Sequence, residues 1–258
     1  MAECFIFGSG GGFEVYNNAG AHNCIYRGKY LGDSVTAAQW NAIKNGTFDD
    51  LYIGDYWVIS GIVWRIAAFN YYYNTGYYGT DDMNCTENHI VIVPDVTLYD
   101  YQMNSTNTTS GGYVGSKMYT QGLSQATTII ESAFGAEHIL NRREYFCSAV
   151  ANGLPSSGTW CDAKIWLMTE MNVYGSRAVS PVSNDSAVPF NVTIDKSQYP
   201  LFMYAPRLIS NWKRVWLRDV VDSKCFSMVD FPGTSGFNYA SENMGVRPAF
   251  AIYEEDAA

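Results

Sequence analysis

Val215-Trp216-Leu217-Arg218-Asp219 and, closer to the end of the chain, Gly245-Val246-Arg247-Pro248-Ala249-Phe250 are the two stretches that decide the fold. Each combines a run of apolar residues with a single arginine, which is typical of a short β-strand packed against a core. We therefore expect Trp216 to be a core residue, and Arg218 and Arg247 to be structural.

The two arginines are expected to bind carboxylates or backbone carbonyls, because a guanidinium is a planar fork of fixed donors. Candidate partners include Asp219 and Asp222, among others. A different interpretation is that the arginines clamp the carboxylate of a ligand.

Together these stretches resemble the WLR…GVRPAF ending of C-type-lectin-like domains, which occur in phage and bacterial proteins. The same superfamily includes formylglycine-generating enzymes and the variable tropism proteins of diversity-generating retroelements. The resemblance covers the C-terminal end of the chain, with a looser likeness from Tyr56 to Ile252. It implies an α+β, C-type-lectin-like fold with short helices, twisted antiparallel strands and long loops.

A second resemblance lies upstream, in Tyr26-Arg27-Gly28-Lys29-Tyr30-Leu31-Gly32, Gln39, Gly46-Thr47-Phe48 and Tyr52-Ile53-Gly54-Asp55-Tyr56-Trp57. This segment is similar to a recurrent segment of phage head-fibre and tail-associated proteins. It implies that residues 1–50 are an attachment and oligomerisation segment and that residues 51–258 are the lectin-like domain. The implied partners are other virion proteins, in the capsid or the tail, and the implied state is a homo-oligomer, with a trimer favoured.

The first half of the chain carries three clear local signals. Thr36-Ala37-Ala38-Gln39 is a capping box that opens a short helix, and Asn45-Gly46 ends that helix. Residues 56–66 are typical of a β-hairpin that turns at Ser60-Gly61, and residues 89–93 predict a further strand.

The second half predicts two helices and several strands. Residues 124–134 have helical spacing, with Ser124 as cap and Gly135 as stop, and residues 142–150 are expected to form a second short helix. Residues 179–192 are rich in Ser, Asn and Pro and predict a loop. Residues 215–218, 225–229 and 246–252 predict strands.

Composition and charge exclude several classes of function. Hydrophobic residues make up 47% of the chain, which is enough for a sizeable core. The net charge of −9 would repel a phosphate backbone, so nucleic acid is not an expected partner. No apolar run is long enough to span a bilayer, so we expect no membrane insertion.

The residues that usually carry catalysis are scattered. The three histidines, His22, His89 and His138, are far apart, and no G-x-S-x-G motif is present. A cysteine–histidine pair could form only through the tertiary fold. The six cysteines have no zinc-like spacing; they are Cys4, Cys24, Cys85, Cys147, Cys161 and Cys225. We therefore expect no catalytic residue, no metal site and no cofactor.

Two aromatic and polar segments are the candidate ligand-binding surface. Tyrosine offers a large contact area at low entropic cost, and neighbouring Asn, Gly and Ser supply adaptable hydrogen bonds. These rings could also pack against neighbouring subunits or the protein's own core. Both segments are expected to be loops, and the candidate residues are Tyr71, Tyr72, Tyr73, Tyr77, Tyr78, Phe231, Phe237, Asn238 and Tyr239.

The two resemblances, taken together with these residues, imply a non-enzymatic bacteriophage protein on the virion surface, a head fibre or capsid decoration that binds a host-surface glycan or protein. The alternatives are a tail receptor-binding or tropism protein, and a ligand-binding protein varied by a retroelement. An enzyme, either a glycan hydrolase or an oxidase of the formylglycine type, is the hypothesis least supported by the residues.

Overall fold

The computed structural model describes residues 6–7, 13–14, 18–74, 85–146, 150–151, 154–156, 159–181 and 197–255. The described chain is α+β, mostly sheet with a few short helices. The helices are α1 Ala19–Asn23, α2 Ala37–Lys44, α3 Leu123–Phe134, α4 Glu170–Tyr174 and α5 Pro200–Tyr204. The strands are β1 Ile6–Phe7, β2 Phe13–Glu14, β3 Tyr30–Gly32, β4 Tyr56–Ile59, β5 Ile62–Phe69, β6 His89–Pro94, β7 Tyr99–Gln102, β8 Arg142–Phe146, β9 Val150–Ala151, β10 Leu154–Pro155, β11 Thr159–Ala163, β12 Ile165–Leu167, β13 Val215–Val220, β14 Cys225–Val229, β15 Ser235–Tyr239, β16 Asn243–Val246 and β17 Pro248–Tyr253.

The larger of two main sheets has six strands in the order β12-β17-β6-β5-β4-β3. All neighbours are antiparallel except β3 and β4, which run parallel. The predicted hairpin is confirmed as β4 and β5, and its turn residues Ser60 and Gly61 both have positive φ. A two-residue turn of this kind matches the right-handed twist of the strands that it joins.

The second sheet has five strands in the order β15-β14-β13-β16-β7. The strands predicted at residues 215–218 and 225–229 are confirmed as β13 and β14 of this sheet. The strand predicted at residues 246–252 is divided into β16, in this sheet, and β17, in the six-stranded sheet. Only Arg247 separates these two strands, and they belong to different sheets. Arg247 therefore lies at the point where the chain crosses from one sheet to the other.

The Arg247 side chain is buried and binds backbone carbonyls, which are one of the two predicted partner types. Its Nε donates to the Pro94 carbonyl at 2.7 Å, and its Nη1 donates to the Leu208 and Ile209 carbonyls at 2.9 and 3.2 Å. Burial lowers the pKa of Arg247 to about 10, so the group stays charged at neutral pH. These bonds join the end of β6 to the crossing point between the two sheets.

The helix predictions are confirmed at α2 and corrected in part at α3. Thr36 and Gln39 form the expected capping box at the start of α2, and Gly135 ends α3 with φ of 87°. Ser124 is not the cap of α3, since the helix continues from a π-helical turn, Met118–Gly122. The Ser124 hydroxyl donates instead to the Gln121 carbonyl at 2.6 Å.

The helix predicted at residues 142–150 is wrong, because residues 142–146 form strand β8. This strand pairs antiparallel with β11, with Glu144 opposite Cys161. Arg142 and Glu144 are both buried, whereas Arg143 is partly exposed, and this is the alternation of a strand. Pairing with β11 and a buried ion pair with the distant Arg218 override the helix propensity of Arg and Glu.

Residues 18–50 pack on the same core as the rest of the described chain. Strand β3 extends the six-stranded sheet, and Ile43 and Phe48 are fully buried. Before Asn18, the structure describes only β1 and β2, which pair with each other. The attachment role of residues 1–50 stays a prediction.

A second buried arginine group involves strands β8 and β13. Arg218 donates to both carboxylate oxygens of Glu144, and Arg142 contacts the same carboxylate. Glu144 is therefore a carboxylate partner of Arg218, a role for which the sequence named Asp219 and Asp222 as candidates. Asp219 accepts from the backbone amide of Glu170, and Asp222 accepts from the backbone amides of Lys224 and Cys225.

Replacing Glu144 by Gln is expected to destabilise the fold by about 3–5 kcal/mol, because two buried guanidinium groups lose their carboxylate. Burial alone raises the pKa of Glu144, but the two guanidinium groups outweigh burial and hold that pKa below its ordinary value. In the wild type, the contribution of the Glu144 carboxylate to the free energy of unfolding should therefore be present at neutral pH. It should decline below about pH 4, as the carboxylate is protonated. Urea unfolding at several pH values measures both effects.

The matched control is Glu137→Gln, since the Glu137 side chain is 74% exposed. That change should alter the free energy of unfolding by less than about 0.5 kcal/mol. Equal effects of the two substitutions would contradict the assignment of Glu144 as the shared carboxylate.

Candidate functional site

The fold brings one histidine and one cysteine together in the interior. The Cys85 Sγ lies 3.9 Å from the His89 Nδ1. This is a cysteine–histidine pair of the kind that the sequence allowed only through the tertiary fold. His89 is fully buried, and both ring nitrogens are occupied. Its Nε2 accepts from the Tyr72 amide at 3.0 Å. The Nδ1 atom therefore carries the proton of the neutral ring and donates to the Glu87 carbonyl at 2.8 Å.

This pair is not arranged for nucleophilic chemistry. An activated thiol needs a lowered pKa and a free base beside it. Burial raises the pKa of Cys85 to about 11 and lowers the pKa of His89 to about 4. The geometry holds a neutral imidazole and a protonated thiol, and His89 acts as a backbone connector between β6 and the turn at Tyr72.

The tyrosine segment after β5 lies next to this pair. Tyr72 is buried, its hydroxyl lies 2.7 Å from that of Tyr199, and its ring packs against the Arg142 guanidinium at 3.8 Å. The Arg142 guanidinium also packs against Trp166, at 3.7 Å. Tyr72 was predicted to bind a ligand at the surface, and its burial corrects that prediction.

The other tyrosines of this segment have different positions. Tyr71 is partly buried; its hydroxyl donates to the Ser197 carbonyl at 2.5 Å and accepts from the Asn172 amide at 3.0 Å. Tyr73 is exposed. The predictions for Tyr77 and Tyr78 fall outside the described residues.

The second candidate segment is a hairpin and not the expected loop. The Asp230 amide donates to the Thr234 carbonyl, Gly233 turns the chain with φ of 91°, and β15 then pairs with β14. Ser235-Gly236-Phe237-Asn238-Tyr239 directs its side chains alternately to the two faces of the sheet, as a strand does. The segment is therefore an edge of the five-stranded sheet, held by its pairing with β14.

The hairpin presents aromatic rings to solvent. Phe237 and Tyr239 lie on one face of β15, because alternate residues of a strand point to the same side. Phe237 is 53% exposed and Tyr239 is 50% exposed. Asn238 lies on the opposite face, and its amide is 3.8 Å from the Met244 sulfur. Phe231, in the turn, is 48% exposed.

A carboxylate that sequence reasoning missed fixes the start of this hairpin's second strand. Glu170 is fully buried and accepts from the amides of residues 178, 179 and 180. It also accepts from the hydroxyls of Ser180 and Ser235, at 2.5 and 2.9 Å. The first residue of β15 is thereby tied to the segment that follows α4. No local motif marks Glu170, since Ser235 is 65 residues away in sequence.

A groove of about 310 Å³ lies on the Asn238 side of the hairpin. Its walls combine two cations, two carboxylates, two amides and one aromatic ring. The lining residues are Asp100, Lys213, Arg214, Phe231, Asn238, Glu242, Asn243, Met244 and Gly245. A second depression, of about 370 Å³, is lined by hydroxyl and amide groups with Lys117, and it lies beside residues 104–108.

Trp212 precedes the groove residues Lys213 and Arg214, and no motif in the sequence singles it out. It is 80% exposed, and it has a positive φ of 60°. The remaining histidines are engaged elsewhere: His22 is buried with Nδ1 2.5 Å from the Leu51 carbonyl, and His138 packs on Trp40.

Among the residues that the structure describes, no group of three His, Cys, Asp or Glu side chains is placed to hold a metal ion. No helix in the same part of the chain has the length and apolar character needed to cross a membrane. Comparison of the chain with protein-family profiles, curated proteins and solved structures gave no match.

The inert state of Cys85 predicts slow alkylation. Its pKa is about 11, so the thiolate is a very small fraction of this thiol at pH 8, whereas an ordinary thiol is substantially ionised there. Exposed Cys24 should therefore react with iodoacetamide at least about 10-fold faster than Cys85. Peptide mass spectrometry over a time course measures both rates in one sample. Equal rates, or a faster Cys85, would show that the thiol is activated.

Proposed function

We propose that this protein is a non-enzymatic bacteriophage virion surface protein, a head fibre or capsid decoration, that displays a C-type-lectin-like domain for adhesion to the host surface. The observation that carries the proposal is the group of exposed aromatic side chains in and beside the β14–β15 hairpin. We call Phe237 and Tyr239, which share one face of β15, the aromatic face; Phe231 and Trp212 are also exposed in this region.

The aromatic face has the composition of a binding surface. Large aromatic side chains supply most of the energy at many interfaces, and exposing them to water without a partner is unfavourable. In the same molecule Trp57, Trp64, Trp166 and Trp216 are fully buried, so the fold does not lack room for aromatic rings. The exposed rings are therefore better explained by contact with a partner than by incomplete packing.

The backbone that carries Phe237 and Tyr239 is held in place, and this also favours binding. Phe237 and Tyr239 are held on a paired strand, and Glu170 fixes the start of that strand. A preorganised surface loses little conformational entropy when a partner binds.

The proposed position on the particle rests on the resemblances in residues 26–70 and in the C-terminal stretch that contains residues 215–250. Residues 1–50 are proposed to contact capsid or tail proteins, and the protein to form a homo-oligomer, with a trimer favoured. Immunogold labelling of intact particles distinguishes a head fibre or decoration from a tail receptor-binding protein. Light scattering of the full chain measures the oligomer, and a monomer that never joins particles would refute the proposal.

A ligand-binding protein varied by a retroelement is the alternative, because Phe231, Phe237 and Tyr239 are exposed on a paired hairpin. That function predicts sequence changes concentrated in residues 231–243 among sister isolates. Uniform sequences there would favour the adhesion protein.

The double substitution Phe237→Ala and Tyr239→Ala should weaken adhesion of the full-length protein to cells of the phage host by about 10-fold or more. The expected loss corresponds to at least about 1.4 kcal/mol from two exposed contact residues. Flow cytometry with the labelled protein measures the binding. Tyr204→Ala is the matched control, since Tyr204 is 41% exposed in helix α5, away from the hairpin and from residues 1–50. Unchanged adhesion of the double variant would remove this surface from the proposal.

A further inference from the structure

Strand β15 is an edge strand of the five-stranded sheet. Among the described strands, β14 is its only neighbour in that sheet. Beyond the end of β15, the Ala240 amide donates to the Lys224 carbonyl at 2.9 Å, so the backbone groups of the even-numbered residues face β14. Backbone groups alternate in direction along an antiparallel strand. The amides and carbonyls of Ser235, Phe237 and Tyr239 therefore point away from β14.

The hydrogen bond of the Tyr239 amide agrees with this direction. The amide donates to the side-chain oxygen of Asn238 at 2.9 Å and not to a carbonyl of β14. Outward amides and carbonyls in a row are a template on which a further strand can pair. The outer edge of β15 is therefore a candidate interaction surface.

This edge lacks the residues that usually discourage strand pairing. Edge strands of soluble proteins commonly carry a charged side chain or a proline, which keeps other strands away. At the opposite edge of the same sheet, β7 carries Asp100, whose side chain is 47% exposed. Strand β15, with the sequence Ser-Gly-Phe-Asn-Tyr, carries neither a charge nor a proline. Of the two edges of this sheet, β15 is the one that is open to pairing.

We propose that β15 pairs with β15 of a second copy of this chain, antiparallel and centred on Phe237. The two Phe237 residues then exchange both of their outward hydrogen bonds, and their rings lie side by side on one face. Tyr239 lies opposite Ser235 of the second copy, so a large side chain meets a small one. Aromatic pairs directly opposite each other stabilise strand pairing.

Charge also favours a second copy at this edge. The chain has a net charge of −9, so two copies repel each other over most approaches. Within the paired β15 strands no charged side chain faces another, because the strand has none. The contact is two-fold and self-complementary, as in most homo-oligomers.

The inference goes beyond the proposed function, since the contact needs no ligand and no part of residues 1–50. It would place the aromatic faces of two copies next to each other on one continuous sheet. A contact made by one short strand is smaller than a standard protein interface. Association through it should therefore be weak, with a Kd in about the micromolar to millimolar range.

The first test is sedimentation of the full-length protein from about 10 µM to about 1 mM, where the average mass should rise with concentration. Phe237→Lys and Phe237→Glu each place like charges opposite one another and should weaken association about 5-fold or more. In an equimolar mixture of the two variants, Lys faces Glu. The mixture should associate at least about 3-fold more tightly than either variant alone.

The matched controls are Tyr204→Lys and Tyr204→Glu on α5, which should associate as the wild type does. Because Phe237 is 53% exposed, the Tm of its variants should stay within about 3 °C of the wild type. A mass that is constant with concentration would overturn the inference. A mixture no tighter than its two components would do the same, since the copies would then meet through another surface.

A second experiment needs no substitution. Hydrogen exchange of the wild type, resolved by residue, is measured at about 10 µM and about 1 mM. The outward amides of Ser235 and Phe237 should exchange about 2-fold or more slowly at the higher concentration. The amides of Gly236 and Asn238, which face β14, are the internal control and should exchange at the same rate at both concentrations. Unchanged exchange at Ser235 and Phe237 would contradict the pairing of β15.

Discussion

The contact between Arg247 and three backbone carbonyls is the interaction on which the relation of the two sheets depends. Arg247 lies between β16 and β17, and the carbonyls belong to Pro94 at the end of β6 and to Leu208 and Ile209. A buried cation is stable only where its donors find acceptors, so the guanidinium fixes these segments together. Pro248 supports the crossing, because the residue before a proline favours extended backbone. The C-terminal sheet, and with it the aromatic hairpin, is placed by this contact.

The buried polar groups of the protein stabilise its fold, whereas its exposed aromatic rings are available for contact with a partner. Inside, Glu144 is shared by two arginines, and Arg142 packs against two aromatic rings. His89 and Cys85 are close enough to resemble a catalytic pair, but the ring nitrogens serve backbone groups and burial keeps the thiol protonated. These groups stabilise the fold. Phe231, Phe237 and Tyr239 instead face solvent on the C-terminal hairpin, where they can contact another molecule.

Local patterns were reliable where neighbours in sequence are also neighbours in space. The capping box at Thr36 and the turn at Ser60-Gly61 depend on a few consecutive residues, and both are present as predicted. The prediction failed at Arg142, where a helix was expected, because the buried pairing of Glu144 with Arg218 spans 74 residues. Trp212 was missed for a similar reason: its exposure depends on Ser210 and the distant Phe231.

By itself, the sequence determined an α+β chain with a hydrophobic core, the helix at residues 37–44, the hairpin of β4 and β5, and a C-terminal region built on Trp216, Arg218 and Arg247. These features follow from side-chain periodicity and capping, which act over one or two turns of chain. Only the tertiary structure decided the partners of the arginines, the burial of Tyr72 and the exposure of the aromatic face on β15. Each of these depends on which distant strands pair, because a side chain's burial and its hydrogen-bond partners are properties of the assembled sheets.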